Sequence, residues 1–108
     1  MKQGEIYICD MEPVAGHEQG GKRPVVIISN DPFNAATGTP IVLPITSGGN
    51  FARIRGLAEE IVGCHTTGVI RCDQPRTLDL EARNGKLVDV LPADILEKAL
   101  DRFAAIFD

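Results

Sequence analysis

Pro24-Val25-Val26-Ile27-Ile28 is the most restrictive stretch of the chain: an unbroken apolar run bounded by Lys22-Arg23 and by Ser29-Asn30-Asp31-Pro32. A short apolar run closed by turn formers reads as a central strand covered on both faces. Such a strand needs neighbours, and the sequence supplies them. Ile6-Tyr7-Ile8-Cys9 and Ile41-Val42-Leu43-Pro44-Ile45 are strand-like, with Pro44 predicting an edge or a bulge. Weaker signals at 56–62 precede a strong one at Thr67–Cys72 and others at Arg76–Leu80 and Leu87–Leu91. Residues 33–39 read as a loop or one helical turn. Asn84-Gly85 reads as a two-residue hairpin or the glycine cap of a short helix. One amphipathic helix closes the chain. Pro92 stands in its first turn, with Ile95, Leu96, Ala99, Leu100, Phe103, Ile106 and Phe107 at helical spacing. The expected fold is mainly β (α+β): a small barrel or twisted antiparallel sheet with a C-terminal helix packed on it.

At 108 residues the chain fits one domain, 1–108, burying roughly 65% of its unfolded surface. Hydrophobic residues at 44% and charged residues at 24% exclude a disordered chain. No apolar run approaches the ~20 residues of a membrane span, and no leader pattern precedes the first strand, so a cytoplasmic location without membrane contact is expected. The net charge of −4 argues against nucleic acid as a partner only on average. Residues 13–56 hold four bases against two acids, so a local basic face is compatible with acidic ends.

Cys9, Cys64 and Cys72 form no CxxC pair and fit neither a disulfide framework nor a zinc site, so no metal and no cofactor is assigned. Gly16 to Lys22 spells G-x-x-x-x-G-K, but Arg23 replaces the hydroxyl residue and Pro24 opens a strand instead of a helix. A phosphate-binding loop of that type is therefore rejected.

Thr66-Thr67-Gly68-Val69-Ile70-Arg71-Cys72-Asp73 carries more chemistry. Strand alternation puts Thr67, Val69, Arg71 and Asp73 on one face, and Ile70 and Cys72 on a core face. Arg71 and Asp73 would stand roughly 6–7 Å apart at the backbone. Alone, that is a surface ion pair worth at most about 1 kcal/mol. With His17 in the glycine-rich loop, Arg23 nearby and Thr46-Ser47 ending another strand, it becomes a set able to cleave RNA without metal. RNA supplies the 2′-hydroxyl; the protein exchanges protons through His17 and Asp73 and clamps the phosphate with Arg71.

Three ordered blocks, Ala15–Pro24, Pro44–Arg53 and Thr66–Thr77, closely resemble the Kid/PemK toxins of the MazF-like family of type II toxin–antitoxin modules. The likeness runs from Gly4 almost to the C-terminus. It implies an SH3-like barrel, a homodimer, and a sequence-specific endoribonuclease that cleaves single-stranded mRNA without metal, inhibiting growth. It implies Asp73 and Arg71 as general base and general acid or phosphate clamp, with His17 assisting. Arg23, Thr46, Ser47, Arg53, Arg55, Leu57, Thr67 and Val69 are implied as RNA-binding, the groove crossing the dimer interface. Leu57 and Arg55 stand where the Kid branch carries phenylalanine and alanine, so the preferred RNA sequence differs. The implied partner is a Kis/PemI-like antitoxin whose acidic C-terminal segment covers the RNA site, with operator DNA bound only by the toxin–antitoxin complex. A gyrase-directed toxin of the same fold would use a C-terminal tryptophan, and this sequence has none. A non-catalytic nucleic-acid-binding module is the other alternative.

Overall fold

The structure is a computed structural model that describes residues 1–11, 21–47 and 55–108. Seven strands form one sheet: β1 (Glu5–Asp10), β2 (Lys22–Ile27), β3 (Ile41–Thr46), β4 (Ala58–Glu60), β5 (Val69–Arg71), β6 (Arg76–Thr77) and β7 (Lys86–Val90). All pairings are antiparallel in the order β4-β5-β3-β2-β1-β7, with β6 beside the start of β3. Among the described residues two helices accompany it, α1 (Asp31–Thr37) and α2 (Ala93–Ala105). The twisted antiparallel form of the expected fold is the one observed. Among the described residues β4 and β7 remain the sheet's two ends, so the barrel is not closed.

β2 is sandwiched as its apolar run demands. Val26 and Ile28 join Ile6, Leu43, Ile45, Ile70 and Cys72 in a core capped by Leu91, Ile95 and Ala99 at the α2 side. Val25 and Ile27 point the other way, onto Cys9, Val42, Leu78 and Leu80. Alternation thus feeds two cores from one strand, and no polar side chain fits along its centre.

Several expectations are corrected in detail. Pro44 lies in neither an edge strand nor a bulge: it sits opposite Val25 in the central strand β3. The N–H of Ile28 bonds the Ile41 carbonyl and that of Leu78 bonds the Pro40 carbonyl, so even-numbered β3 residues face away from β2. On that side β6 pairs with residues 41–42 and β5 with 45–46, so the missing N–H of Pro44 falls at the change of partner. Residues 31–37 form a true helix because Asn30 caps it through Phe33 N–H, Pro32 occupies its first turn and Gly38 closes it at φ 70°. Thr67–Cys72 yields only a three-residue strand and Arg76–Leu80 only two strand residues, with Leu78 still bonded to the Pro40 carbonyl while Leu78 and Leu80 fill the second core. Of the two readings of Asn84-Gly85, the helix-type cap is the nearer: Arg83 N–H bonds Asp79 O, Asn84 adopts φ 57° and Gly85 N–H closes on Leu80 O at 2.7 Å, with Asn84 and not Gly85 as the left-handed residue. α2 ends at Ala105, leaving Ile106 and Phe107 exposed.

Asp89, on β7, fastens the loop that precedes β5. Its carboxylate accepts the Thr66 N–H (2.8 Å), the Thr66 hydroxyl (2.9 Å) and the Val90 N–H (2.9 Å). Desolvation alone would raise its pKa, but these hydrogen bonds outweigh it and hold the group at about 2. A carboxylate depressed below its unfolded value of about 3.9 adds stability above that pH. The contribution fades as pH falls towards about 2. Asp89→Ala should lower unfolding free energy at pH 7 by about 1–3 kcal/mol. Urea melts between pH 7 and pH 2 should show the wild-type advantage shrinking in acid; a difference independent of pH would contradict this assignment.

Candidate active site at the β3–β5 edge

The register puts the polar candidates on one face. Cys9 lies opposite Arg23, and Thr46 lies opposite Val69. Continuing the β2–β3 register places Arg23 opposite Thr46, which makes one row across four strands. In the adjacent row Tyr7 lies opposite Val25 and Val25 opposite Pro44, and continuing the β3–β5 register adds Arg71. Arg23, Thr46 and Arg71 therefore project from the same side of the sheet, towards the end where its second core stops. A groove of about 390 Å³ opens there, lined by Gly21, Lys22, Arg23, Pro24, Ile45, Thr46, Ser47 and Thr67. Two cations and three hydroxyls on one depression suit an anionic ligand, although the whole chain is acidic.

Gly68 lets β5 reach this position. Its φ of +122° is one that L side chains rarely adopt, and a Cβ there would stand 2.5 Å from the Thr46 carbonyl oxygen. The residue after it, Val69, was expected in the groove lining but is only 2% exposed, packed against Ala58 and Leu57. Ile70 faces the main core, as the alternation predicted, and Arg71 returns to the open face.

Arg71 and Asp73 meet as a two-pronged ion pair. Arg71 Nε donates to Asp73 Oδ1 at 3.1 Å and an Arg71 terminal nitrogen donates to Oδ2 at 3.0 Å. Both side chains are about a quarter exposed, at 23% and 26%. The strand ends at Arg71, and the following turn, closed by Gln74 N–H on the Arg71 carbonyl, swings the Asp73 carboxylate back onto the fork. That hydrogen bond lowers the Asp73 pKa and raises that of Arg71, so both groups are fully ionised at neutral pH. The fork uses two of its five donors on Asp73, and a planar guanidinium held this way is aimed for a second oxyanion. Cys72 between them is buried, and burial pushes its thiol up to about 11, so it is no nucleophile.

The other candidates fall in two groups. His17 and Arg53 lie outside the described residues. Arg55 and Leu57 line a separate depression of about 390 Å³ with Gly56, Asp101, Arg102, Ala105 and Ile106. Lys22, the lysine of the rejected phosphate-loop pattern, lines the groove and pairs with Asp10 at 3.0 Å. It opens a strand and not a helix, so the loop pattern misassigned its context while marking a real cation.

Residues 2–107 match the family model of PemK-like, MazF-like toxins of type II toxin–antitoxin systems. The chain belongs to this family. The toxin is 50% identical over 108 residues to Endoribonuclease PemK of Escherichia coli, covering 98% of this chain and 81% of that one. It is 36% identical to Endoribonuclease toxin ChpB of Escherichia coli K12, covering 99% and 94%. Its backbone superposes on the MazE-MazF crystal structure (Form-II) from Deinococcus radiodurans with a TM-score of 0.86 at 28% identity, covering 99% and 95%.

Gly68→Ala tests the local geometry of the toxin directly. The added methyl meets a backbone oxygen, so the strand must move away from β3. Urea unfolding should show a loss of at least about 2 kcal/mol; an unchanged midpoint would mean that β5 does not approach β3 this closely.

Proposed function

We propose that this toxin endoribonuclease cleaves single-stranded mRNA, without a metal ion, by directing the RNA's own 2′-hydroxyl at the adjacent phosphorus. The 2′-oxygen forms a bond to phosphorus as its proton leaves to a base. The bond from phosphorus to the 5′-oxygen breaks, and a proton is delivered to that oxygen. The products are a 2′,3′-cyclic phosphate and a 5′-hydroxyl, with atoms and charge conserved. The observation that carries this reading is the forked Arg71–Asp73 pair, on the sheet face shared with Arg23 and Thr46.

Arg71 clamps the non-bridging phosphate oxygens and stabilises the crowded phosphorane. While paired to Arg71, Asp73 is too weak a base to take a proton. It acts as base only when the phosphate has replaced it on the guanidinium. His17 is the second group available for proton transfer. Arg23, Thr46, Ser47 and Thr67 hold the RNA over Val69, and Arg53, Arg55 and Leu57 extend its path. The toxin acts in the cytoplasm as a homodimer whose RNA groove crosses the interface. A Kis/PemI-like antitoxin covers that groove with an acidic segment, and operator DNA is bound only by the joint complex.

Purified toxin on defined single-stranded RNAs in EDTA should give 5′-hydroxyl and 2′,3′-cyclic ends. Intact RNA at high enzyme, across several sequences, would contradict the proposal. Arg71→Ala should lower kcat by about 10²–10³. Asp73→Asn should reduce turnover while RNA affinity, measured by fluorescence anisotropy, stays near wild type.

A further inference from the structure

We infer that Arg102, on the C-terminal helix, is a positioning residue that sets where Arg71 stands. The inference rests on the function proposed above. Arg102 does not line the groove but the separate depression with Arg55 and Leu57, and it acts on Arg71 through β4. Its Nε donates to Glu59 Oε1 at 2.7 Å, and another guanidinium nitrogen donates to the Gly56 carbonyl at 2.9 Å. One side chain thus grips both the turn before β4 and the middle of β4 itself.

β4 needs such a grip. It is a three-residue strand at the end of the sheet, too short to define its own register strongly. Yet β4 is what holds the outer side of β5. Ala58 lies opposite Arg71, Glu59 opposite Ile70, and Cys72 N–H bonds the Leu57 carbonyl at 2.9 Å. The segment 56–59 therefore flanks Arg71 and the start of the turn that returns Asp73. α2 is a firm base for the contact, because Ile95 and Ala99 seat it in the main core.

The chemistry of the contact favours arginine specifically. The Glu59 side chain is only 12% exposed, so its carboxylate depends on the guanidinium. Gly56 adopts φ +75°, and an ideal Cβ there would already lie 3.4 Å from Arg102. The turn thus presents its carbonyl to the fork at close range. Lysine offers a point charge and cannot serve both acceptors in this fixed geometry.

Arg102→Lys should fold, keep its KM for RNA within about twofold, and lose about tenfold in kcat, since small displacements of a catalytic group carry large rate penalties. Glu59→Ala removes the opposite half of the contact and should give the same loss. Glu59→Gln keeps the acceptor and should stay near wild type. Rates are normalised to the folded fraction at the assay temperature. The Arg71 Nε–H resonance, followed by ¹⁵N NMR, should shift in Arg102→Lys and in Glu59→Ala. Unchanged kcat and an unmoved Arg71 resonance in both variants would overturn the inference, as would a rate loss that disappears on normalisation. Arg71→Ala is measured alongside: if it retains full turnover, the proposed function fails on its own account, whatever the Arg102 variants do.

Discussion

Burial of β2 and β3 on both faces is the constraint from which the rest follows. Two opposed cores occupy every side chain from Val25 to Ile28 and from Val42 to Leu43, so polar chemistry is pushed to the strand ends. At one end the second core runs out, and the sheet face carries Arg23, Thr46 and Arg71 in place of valine and isoleucine. The groove is the continuation of the packed face into residues that can bind an anion. Its precision derives from the sheet, because each polar group sits on a strand whose neighbours are fixed by apolar contacts.

The electrostatics of the site explain how an acidic toxin of net charge −4 can engage a polyanion. What counts is the field within a Debye length of the groove, and there Lys22 and Arg23 lie together. Asp73 also fixes the planar fork of Arg71, which in the proposed mechanism readies it for a phosphate before RNA arrives. In the mechanism proposed above, the bond that orients the arginine also lowers the basicity of Asp73, so proton transfer by Asp73 would be coupled to phosphate binding. His17 would escape that coupling.

Much of the fold was legible in the residues. The apolar run at Pro24–Ile28 gave the central strand, the alternation from Thr67 to Asp73 put Ile70 and Cys72 in the core, and the spacing from Ile95 to Phe103 gave the terminal helix. Misreadings arose where local signals depend on a partner elsewhere. Pro44 is harmless only because β5 replaces β6 beside it. Val69 is buried only because Ala58 and Leu57 cover it. The caps at Asn30 and Gly38 were written in the sequence and mark α1, whose apolar content is too small to show a periodicity. Of the site, the Arg71–Asp73 pair was visible from spacing. The share of Lys22 was hidden by a misleading motif, and the Arg102–Glu59 brace joins residues 43 apart, beyond any local pattern.

The proposed cleavage requires the RNA to provide the nucleophile. The most direct measurement replaces the single ribose on the 5′ side of the cleaved bond with 2′-deoxyribose, in an otherwise unchanged substrate, and compares binding and cleavage by the toxin. Undiminished binding with no cleavage at that bond is the predicted result. Cleavage that continues at the substituted position would mean that water or a protein group attacks the phosphorus, and the roles given to Arg71 and Asp73 would have to be abandoned.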